Sequence, residues 1–377
     1  MYKHYQQYLS HLQHTAKYRT LPDENTANAC LNFSSNDYLQ LSKHPDSITA
    51  AEVALRTFGN GATGSRLLSG NHPLFQVFES QIAKDKNCEA ALIYNTGFQA
   101  NLSVLSALLD KQVLNEQPLV FFDKLNHASL YQAIKLSGAE LLRYRHNDMN
   151  HLQRLLEPHR NTTRPKFLVS ETVFGMDGDI CFLNELVELS KIHQTFLYLD
   201  EAHATGLFGP QGYGLSTRID LSEIPHLIMG TFSKALGCHG AYIACSLTLK
   251  HYLINKCQGL IYSTANSPAN IAAAYANWQL IPKLDNHRLQ LSQLGDYFRQ
   301  SLQAKGFNTG TSSTHIIPII LEDEARTIAF QKHLLQHGIL CSAIRPPTVP
   351  PNTSRLRFAI HTAHTKADIE KVLEHIL

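Results

Sequence analysis

Residues 195–200 read Thr195-Phe196-Leu197-Tyr198-Leu199-Asp200, and residues 226–231 read His226-Leu227-Ile228-Met229-Gly230-Thr231. Both are short apolar runs that end on a polar side chain. A strand with one wet face alternates apolar with polar residues; a strand covered on both faces stays apolar throughout. The continuous pattern recurs in Ala90-Ala91-Leu92-Ile93-Tyr94, Leu119-Val120-Phe121-Phe122, Phe167-Leu168-Val169-Ser170 and Ala241-Tyr242-Ile243-Ala244. Amphipathic stretches separate these runs. One is the face of Leu183, Leu186, Val187 and Ile192, after the Asp177-Gly178 turn signal. Such alternation specifies an α/β fold, with a mostly parallel central sheet flanked by helices.

Working outward, the pattern changes at both ends. Residues 1–20 are polar with spaced Tyr and Leu, and read as a helix lying on the body. Residues 31–39 follow as an extended entry and 59–66 as a Gly-rich loop. Residues 73–84 carry Leu74, Phe75, Phe78 and Ile82 at helical spacing. Beyond Pro282 come a long helix over 285–305, the run Ile316-Ile317-Pro318-Ile319-Ile320-Leu321 and a helix near 327–337. Arg355-Leu356-Arg357-Phe358-Ala359-Ile360 and a last helix opened by Thr365 complete the chain. The expected division is an N-terminal arm over 1–40, a large domain over 41–280 and a smaller α+β domain over 281–377. The arm is expected to return to the smaller domain.

Bulk properties exclude several classes of function. The chain has 377 residues, enough for about two domains. It is 44% hydrophobic and 17% charged, a composition that builds a core rather than a disordered chain. A net charge of +2, with both signs mixed along the chain, argues against a nucleic acid or membrane-surface partner. No apolar run approaches the roughly 20 residues of a membrane span, and the N-terminus lacks the apolar core of a signal peptide. Seven cysteines without a CxxC pair read as reduced thiols, which implies a cytoplasmic protein and no zinc site.

In open α/β sheets, ligands bind beyond the carboxyl ends of the strands. Asp200 stands at one such end, with His203 three residues on; Thr231, Ser233 and Lys234 stand at another. A buried carboxylate requires a partner, and a protonated pyridine nitrogen is one. A lysine, with an ordinary pKa of about 10.4, is a poor nucleophile unless desolvated or converted to an imine by an aldehyde. Taken singly, Asp200 reads as a helix cap, His203 as a core histidine and Lys234 as a solvated residue at a helix start. Three further strand ends converge with them. Asn95-Thr96-Gly97-Phe98 opens a helix whose N-terminal amides suit a phosphate. His127, in Asn126-His127-Ala128-Ser129, offers an imidazole to stack on a flat ring. Glu171 ends another run. Together these groups suit an aromatic phosphate cofactor held through a lysine.

Two other motifs are weaker. Asp200-Glu201-Ala202-His203 also spells a helicase signature, but no Gly-Lys dipeptide exists to complete a phosphate-binding loop. Gly59-Asn60-Gly61-Ala62-Thr63-Gly64 matches the spacing of a dinucleotide-binding turn, but no clear strand precedes it. A non-enzymatic binding module leaves the polar strand ends unexplained.

From Asn32 onward the chain resembles the α-oxoamine synthases, which are fold-type I enzymes using pyridoxal 5′-phosphate (PLP). The resemblance is carried by residues 32–39, Gly64-Ser65-Arg66, Asn126-His127-Ala128-Ser129, Met176-Asp177-Gly178-Asp179, Asp200-Glu201-Ala202-His203 and Thr231-Phe232-Ser233-Lys234. It implies that Lys234 carries the cofactor and later moves a Cα proton. It implies Asp200 on the pyridine nitrogen, His203 on the ring oxygen and His127 stacked on the ring. Gly97, Phe98, Thr231 and Ser233 surround the phosphate, which Ser263 and Thr264 reach from the neighbouring subunit of a homodimer. Arg357 takes the amino acid carboxylate, for which a guanidinium fork is suited, and Asn36 helps position it. Gly175 stands where many relatives have a serine near the cofactor.

The proline-stiffened segment Ala343-Ile344-Arg345-Pro346-Pro347-Thr348 resembles the substrate loop of the family's biotin-pathway member. That likeness implies L-alanine and a pimeloyl thioester as substrates, on coenzyme A or an acyl carrier protein. Arg345, Thr348 and Arg19 then lie near the acyl group. The alternative within the family is a glycine C-acetyltransferase or a 5-aminolevulinate synthase.

Overall fold

The computed structural model describes residues 1–21 and 30–376. They group into two compact units. The larger comprises Leu39–Phe174 and Cys181–Asp285; the smaller comprises Met1–Tyr38, Gly175–Ile180 and Asn286–Leu377.

The larger unit is built on seven strands. In chain order they are β1 (Ala90–Tyr94), β2 (Leu119–Asp123), β3 (Glu140–Tyr144), β4 (Lys166–Glu171), β5 (Phe196–Asp200), β6 (His226–Thr231) and β7 (Ala241–Cys245). Their spatial order is β1-β7-β6-β5-β4-β2-β3. β7 runs antiparallel to β1 and β6, and the other pairings are parallel. Successive side chains alternate between two covered faces, as the pleat requires. Leu92, Tyr94, Tyr198, Met229 and Ile243 pack on one face with Val104, Leu105 and Leu130. Ala91, Ile93, Tyr242 and Ala244 pack on the other with Phe78, Phe232 and Trp278. Each fully buried Val, Leu, Ile, Met or Phe side chain among them contributes about 1.5–3 kcal/mol.

Six of the strands coincide with the apolar runs of the sequence. The edge strand β3 does not: Glu140-Leu141-Leu142-Arg143 is only half-buried to exposed, so it carries no continuous apolar signal. The Gly-rich turn at 59–64 follows a helix, Pro45–Phe58, and not a strand. Lys234 opens no helix; it lies in the turn that joins β6 to β7. Gly230 is required inside β6, because a Cβ there would lie 2.4 Å from the Tyr242 ring on β7.

In the smaller unit, β8 (Ile316–Glu322), β9 (Ser342–Ile344) and β10 (Ser354–Ala359) form an antiparallel sheet with β10 in the middle. Leu31–Asn32 pairs in parallel with Ile339–Leu340. The first helix, Tyr2–His14, stops short of the expected residue 20 and buries none of its residues. The last helix, Lys366–Glu374, is opened by Thr365 in a reciprocal capping box with Asp368. The linear division over 41–280 and 281–377 did not anticipate that Gly175–Ile180 belongs with the C-terminal residues. The Gly178 carbonyl accepts the Ser313 N–H at 2.9 Å and the Thr314 hydroxyl at 2.8 Å, which ties this turn to β8.

Phe33, His364 and His361 stack in series, at 4.0 and 3.5 Å between centroids. Burial, with His361 beside it, depresses His364 to about 3, far below the ordinary histidine value of about 6.5. Between these values only the unfolded chain binds this proton. Stability is therefore retained above pH ~6.5 and lost as pH falls toward ~3, by up to about 1.4 kcal/mol per pH unit. Denaturation midpoints measured across this window should fall with pH, and the His364→Phe variant should flatten the slope.

Candidate active site

The strand order brings the polar ends of β4, β5 and β6 side by side, next to the start of the helix Gly97–Leu108. Asp200 is buried at the end of β5. Its Oδ1 accepts the Ala202 N–H at 2.9 Å and its Oδ2 accepts the Asn101 amide at 2.7 Å. It caps no helix, because a run of turns follows it. His203 is buried within those turns. Lys234 is half-buried, and its charge bears on both His127 and Glu171.

Thr96 caps the helix Gly97–Leu108 by accepting the Gln99 N–H, and its carbonyl accepts the Ala100 N–H. The Gly97 and Phe98 N–H groups form no hydrogen bond among the described residues. They are the orphan donors that make a helix N-terminus an anion site. A Cβ on Gly97 would lie 3.7 Å from the Thr231 side chain, which places β6 against this helix end. Thr231 donates to the Gly240 carbonyl at 2.9 Å and lies 2.8 Å from the Ser233 hydroxyl. Ser263 and Thr264 stand beside the same helix end of their own chain. Gln99 donates to Ser263 Oγ at 2.7 Å, and Asn95 to the Thr264 carbonyl at 2.6 Å.

His127 caps the helix Ala128–Ser137, with its Nδ1 accepting the Ser129 N–H. The surrounding protein lowers its proton affinity through desolvation first; Asp200 opposes that and Lys234 reinforces it. Phe98 meets the His127 ring edge-on at 6.5 Å. Burial, then the Asp200 charge, pushes the Glu171 carboxyl well above the usual carboxylate range. This donor set fits a ring phosphate: two amides unbonded among the described residues, with the Thr231 and Ser233 hydroxyls nearby, for the phosphate, a buried acid for a ring nitrogen, an imidazole and an amine.

The remaining expected residues lie in the smaller unit, in two groups. Arg357 is buried on β10. Its Nε donates to the Gly175 carbonyl at 2.6 Å, and its Nη2 to Asn36 at 3.2 Å and Tyr38 at 3.3 Å. Its Nη1 makes no hydrogen bond and its charge meets no carboxylate among the described residues. Arg355, two residues earlier on β10, is paired with Asp177 at 2.5 Å. A buried guanidinium without a counterion is costly, so Arg357 is poised for an anion. Elsewhere, Arg19 donates to Thr348 at 3.4 Å, and Arg345 donates to the Ala16 carbonyl at 2.6 Å. The Arg19 charge, after burial, depresses Arg345.

The sequence reading missed the supports of these groups. Asn101, one helical turn after Gly97, and Tyr198, two residues before Asp200 on the same strand face, both contact the Asp200 network. Their spacing from Gly97 and Asp200 was the available signal. Glu201, beside Asp200, is fully buried and paired with Lys86, which is also fully buried. Glu201 further accepts the Ser216 N–H at 2.8 Å and hydroxyl at 2.9 Å. Gly214, at φ +106°, is required there, because a Cβ would collide with the Glu201 carboxylate. Breaking this pair with Lys86→Met should destabilise the fold by about 3–5 kcal/mol, since it strands a buried charge. The double variant Lys86→Met/Glu201→Leu should recover part of that loss in a denaturant titration.

A family model described as aminotransferase class I and II matches residues 28–376. A protein of Paramagnetospirillum magneticum, named "Putative 8-amino-7-oxononanoate synthase", is 49% identical over 92% of this chain and 88% of its own length. A protein of Bordetella pertussis with the same name is 44% identical over 91% and 86%. Among solved structures, a serine palmitoyltransferase from S. paucimobilis with a bound PLP–myriocin aldimine has a TM-score of 0.86. It is 30% identical, over 92% of this chain and 86% of that one. An 8-amino-7-oxononanoate synthase from Francisella tularensis has a TM-score of 0.79 and is 29% identical, over 92% and 97%. With the model match spanning nearly the whole chain, and relatives this similar over nearly their full length, the chain belongs to the aminotransferase class I and II family.

Proposed function

We propose that the chain is an 8-amino-7-oxononanoate synthase. It joins L-alanine to a pimeloyl thioester, on coenzyme A or an acyl carrier protein, and releases carbon dioxide and the free thiol in biotin biosynthesis. The single observation that carries the reading is the convergence of Asp200, His127 and Lys234 beside the unbonded Gly97 and Phe98 amides. The named relatives support it.

PLP, when bound, supplies the electron sink that lets an amino acid lose a proton at Cα. The chain supplies the rest. Lys234 would hold the cofactor covalently, and its amine, when free, would take the alanine Cα proton. Asp200 would keep the ring nitrogen protonated, His203 would hydrogen-bond the ring oxygen, and His127 would stack on the ring. The Gly97 and Phe98 amides, with Thr231 and Ser233, would receive the phosphate. Arg357 takes the alanine carboxylate through its unused Nη1, with Asn36 orienting the guanidinium. Arg19, Arg345 and Thr348 face the acyl substrate. The alanine Cα would then bond to the thioester carbonyl carbon as the C–S bond breaks and the thiolate leaves; the β-keto acid would lose carbon dioxide, and the carbon left with the electron pair would take back a proton from the Lys234 ammonium.

The enzyme works as a cytoplasmic homodimer, with Ser263 and Thr264 reaching the partner's phosphate. No helix among the described residues is long and apolar enough to cross a membrane.

The deciding assay offers L-alanine or glycine with pimeloyl and acetyl thioesters on each carrier, and identifies the product by mass. Alanine with pimeloyl thioester should give 8-amino-7-oxononanoate. A faster reaction of glycine would assign the chain to a glycine C-acetyltransferase or a 5-aminolevulinate synthase instead. Lys234→Ala should abolish turnover and the covalent link to the cofactor. Arg357→Lys should raise KM for alanine by about tenfold or more, because one ammonium cannot keep the Gly175, Asn36 and Tyr38 bonds and also reach the carboxylate.

A further inference from the structure

Asn101 is 2% exposed and sits in the middle of an otherwise apolar helix face. Its Nδ2 lies 2.7 Å from Asp200 Oδ2 and 3.0 Å from Ser129 Oγ. Its Oδ1 lies 2.9 Å from the Tyr198 hydroxyl. A carboxylate oxygen is an acceptor, so the amide atom facing Asp200 must be the nitrogen. Turned the other way, the amide would set two oxygens against each other in a buried space. The orientation of this amide is therefore decided by chemistry, and the Tyr198 hydroxyl donates to its oxygen.

The consequence runs onward. One amide hydrogen goes to Asp200 and the other to Ser129 Oγ. With its oxygen accepting, the Ser129 hydroxyl turns its own hydrogen to His127 Nδ1, 2.7 Å away. The Ser129 backbone N–H approaches the same nitrogen at 3.3 Å, and an N–H can only donate. Two independent donors thus meet Nδ1, which must carry a lone pair. The bonds have one sense throughout: Tyr198 to Asn101, Asn101 to Asp200 and Ser129, Ser129 to His127.

We infer that Asn101 and Ser129 are positioning residues that fix His127 as the neutral imidazole protonated on Nε2, while the same amide orients Asp200. The inference rests on the reading of His127 and Asp200 as the residues that stack on and protonate the cofactor ring. A ring kept cationic by Asp200 repels an imidazolium lying on it but not a neutral imidazole. One buried amide thereby sets both conditions at once. The charged and titratable groups facing His127 are Asp200 at the end of β5, Lys234 in the turn after β6, and Glu171 at the end of β4, which accepts the His127 backbone N–H. Asp200 by itself draws a proton to His127, while burial and the Lys234 charge oppose it; the donors at Nδ1 act in the same sense as burial and select the tautomer. The lowered proton affinity of His127 agrees with this arrangement.

The test is nitrogen NMR of full-length enzyme labelled with 15N-histidine, with and without PLP, the His127 signals being assigned by their loss in His127→Asn. The expected spectrum has Nδ1 unprotonated and Nε2 protonated across about pH 6 to 8. Ser129→Ala removes one hydroxyl and leaves the helix cap in place, and should raise the His127 titration midpoint by about half to one pH unit. Asn101→Leu should move His127 in the same direction and also weaken PLP binding about tenfold, since Asp200 loses a donor. A proton on Nδ1 in the parent enzyme overturns the inference, as does an unchanged His127 titration in Ser129→Ala. If Asn101→Leu unfolds, Ser129→Ala decides alone. Failure of alanine turnover would sink the proposed reaction and leave these resonances in place, so the two readings fail separately.

Discussion

Asp200 ends the middle strand of the seven-stranded sheet, where its carboxylate is taken out of water. A buried carboxylate is tolerated only if its lone pairs are met, and much of the surrounding architecture meets that demand. The turn that follows supplies the Ala202 N–H, and the helix Gly97–Leu108 supplies the Asn101 amide. Glu171, on the neighbouring strand, has its carboxyl pushed far above the ordinary range, so two negative charges are not forced together. One constraint therefore shapes the strand end, the turn and the helix at the same time.

The same logic explains the buried ion pair at the next residue. Glu201 follows Asp200 and points into the protein, where Lys86, Ser216 and the space left by Gly214 receive it. Such a pair contributes little net stability, but its partners hold the chain leaving β5 in one path. His203 is carried by that path. In the smaller unit Arg355 and Arg357 give the contrasting case. Two guanidiniums share one strand, one neutralised by Asp177 and one held by Gly175, Asn36 and Tyr38 with its charge unanswered. Among the described residues no carboxylate meets the second.

The fold was largely legible because strands covered on both faces announce themselves as unbroken apolar runs. β3 escaped because an edge strand is less covered: Glu140 and Arg143, on opposite faces, break the apolar run. β9 escaped because three half-buried residues carry too little pattern. The site was legible where a residue type is itself the signal: an acid and a histidine at one strand end, a lysine at the next, a Gly-rich helix opening. Lys234 was misplaced only in its local structure, since nothing in Ser233-Lys234-Ala235-Leu236 distinguishes a helix start from the turn that joins antiparallel β6 and β7.

The sequence by itself determined an α/β protein with polar chemistry gathered at its strand ends, because burial dictates apolar periodicity and reactive groups have few side-chain types. Tertiary structure alone decided which polar residues stand together there. Asn101 lies far along the chain from Asp200, and reads in sequence as one polar position in an apolar helix. Its meaning comes from the carboxylate 2.7 Å from its amide and from the serine that passes the bond to His127. Hydrogen bonds of this kind depend on distance and direction in space, and neither is written in residue order.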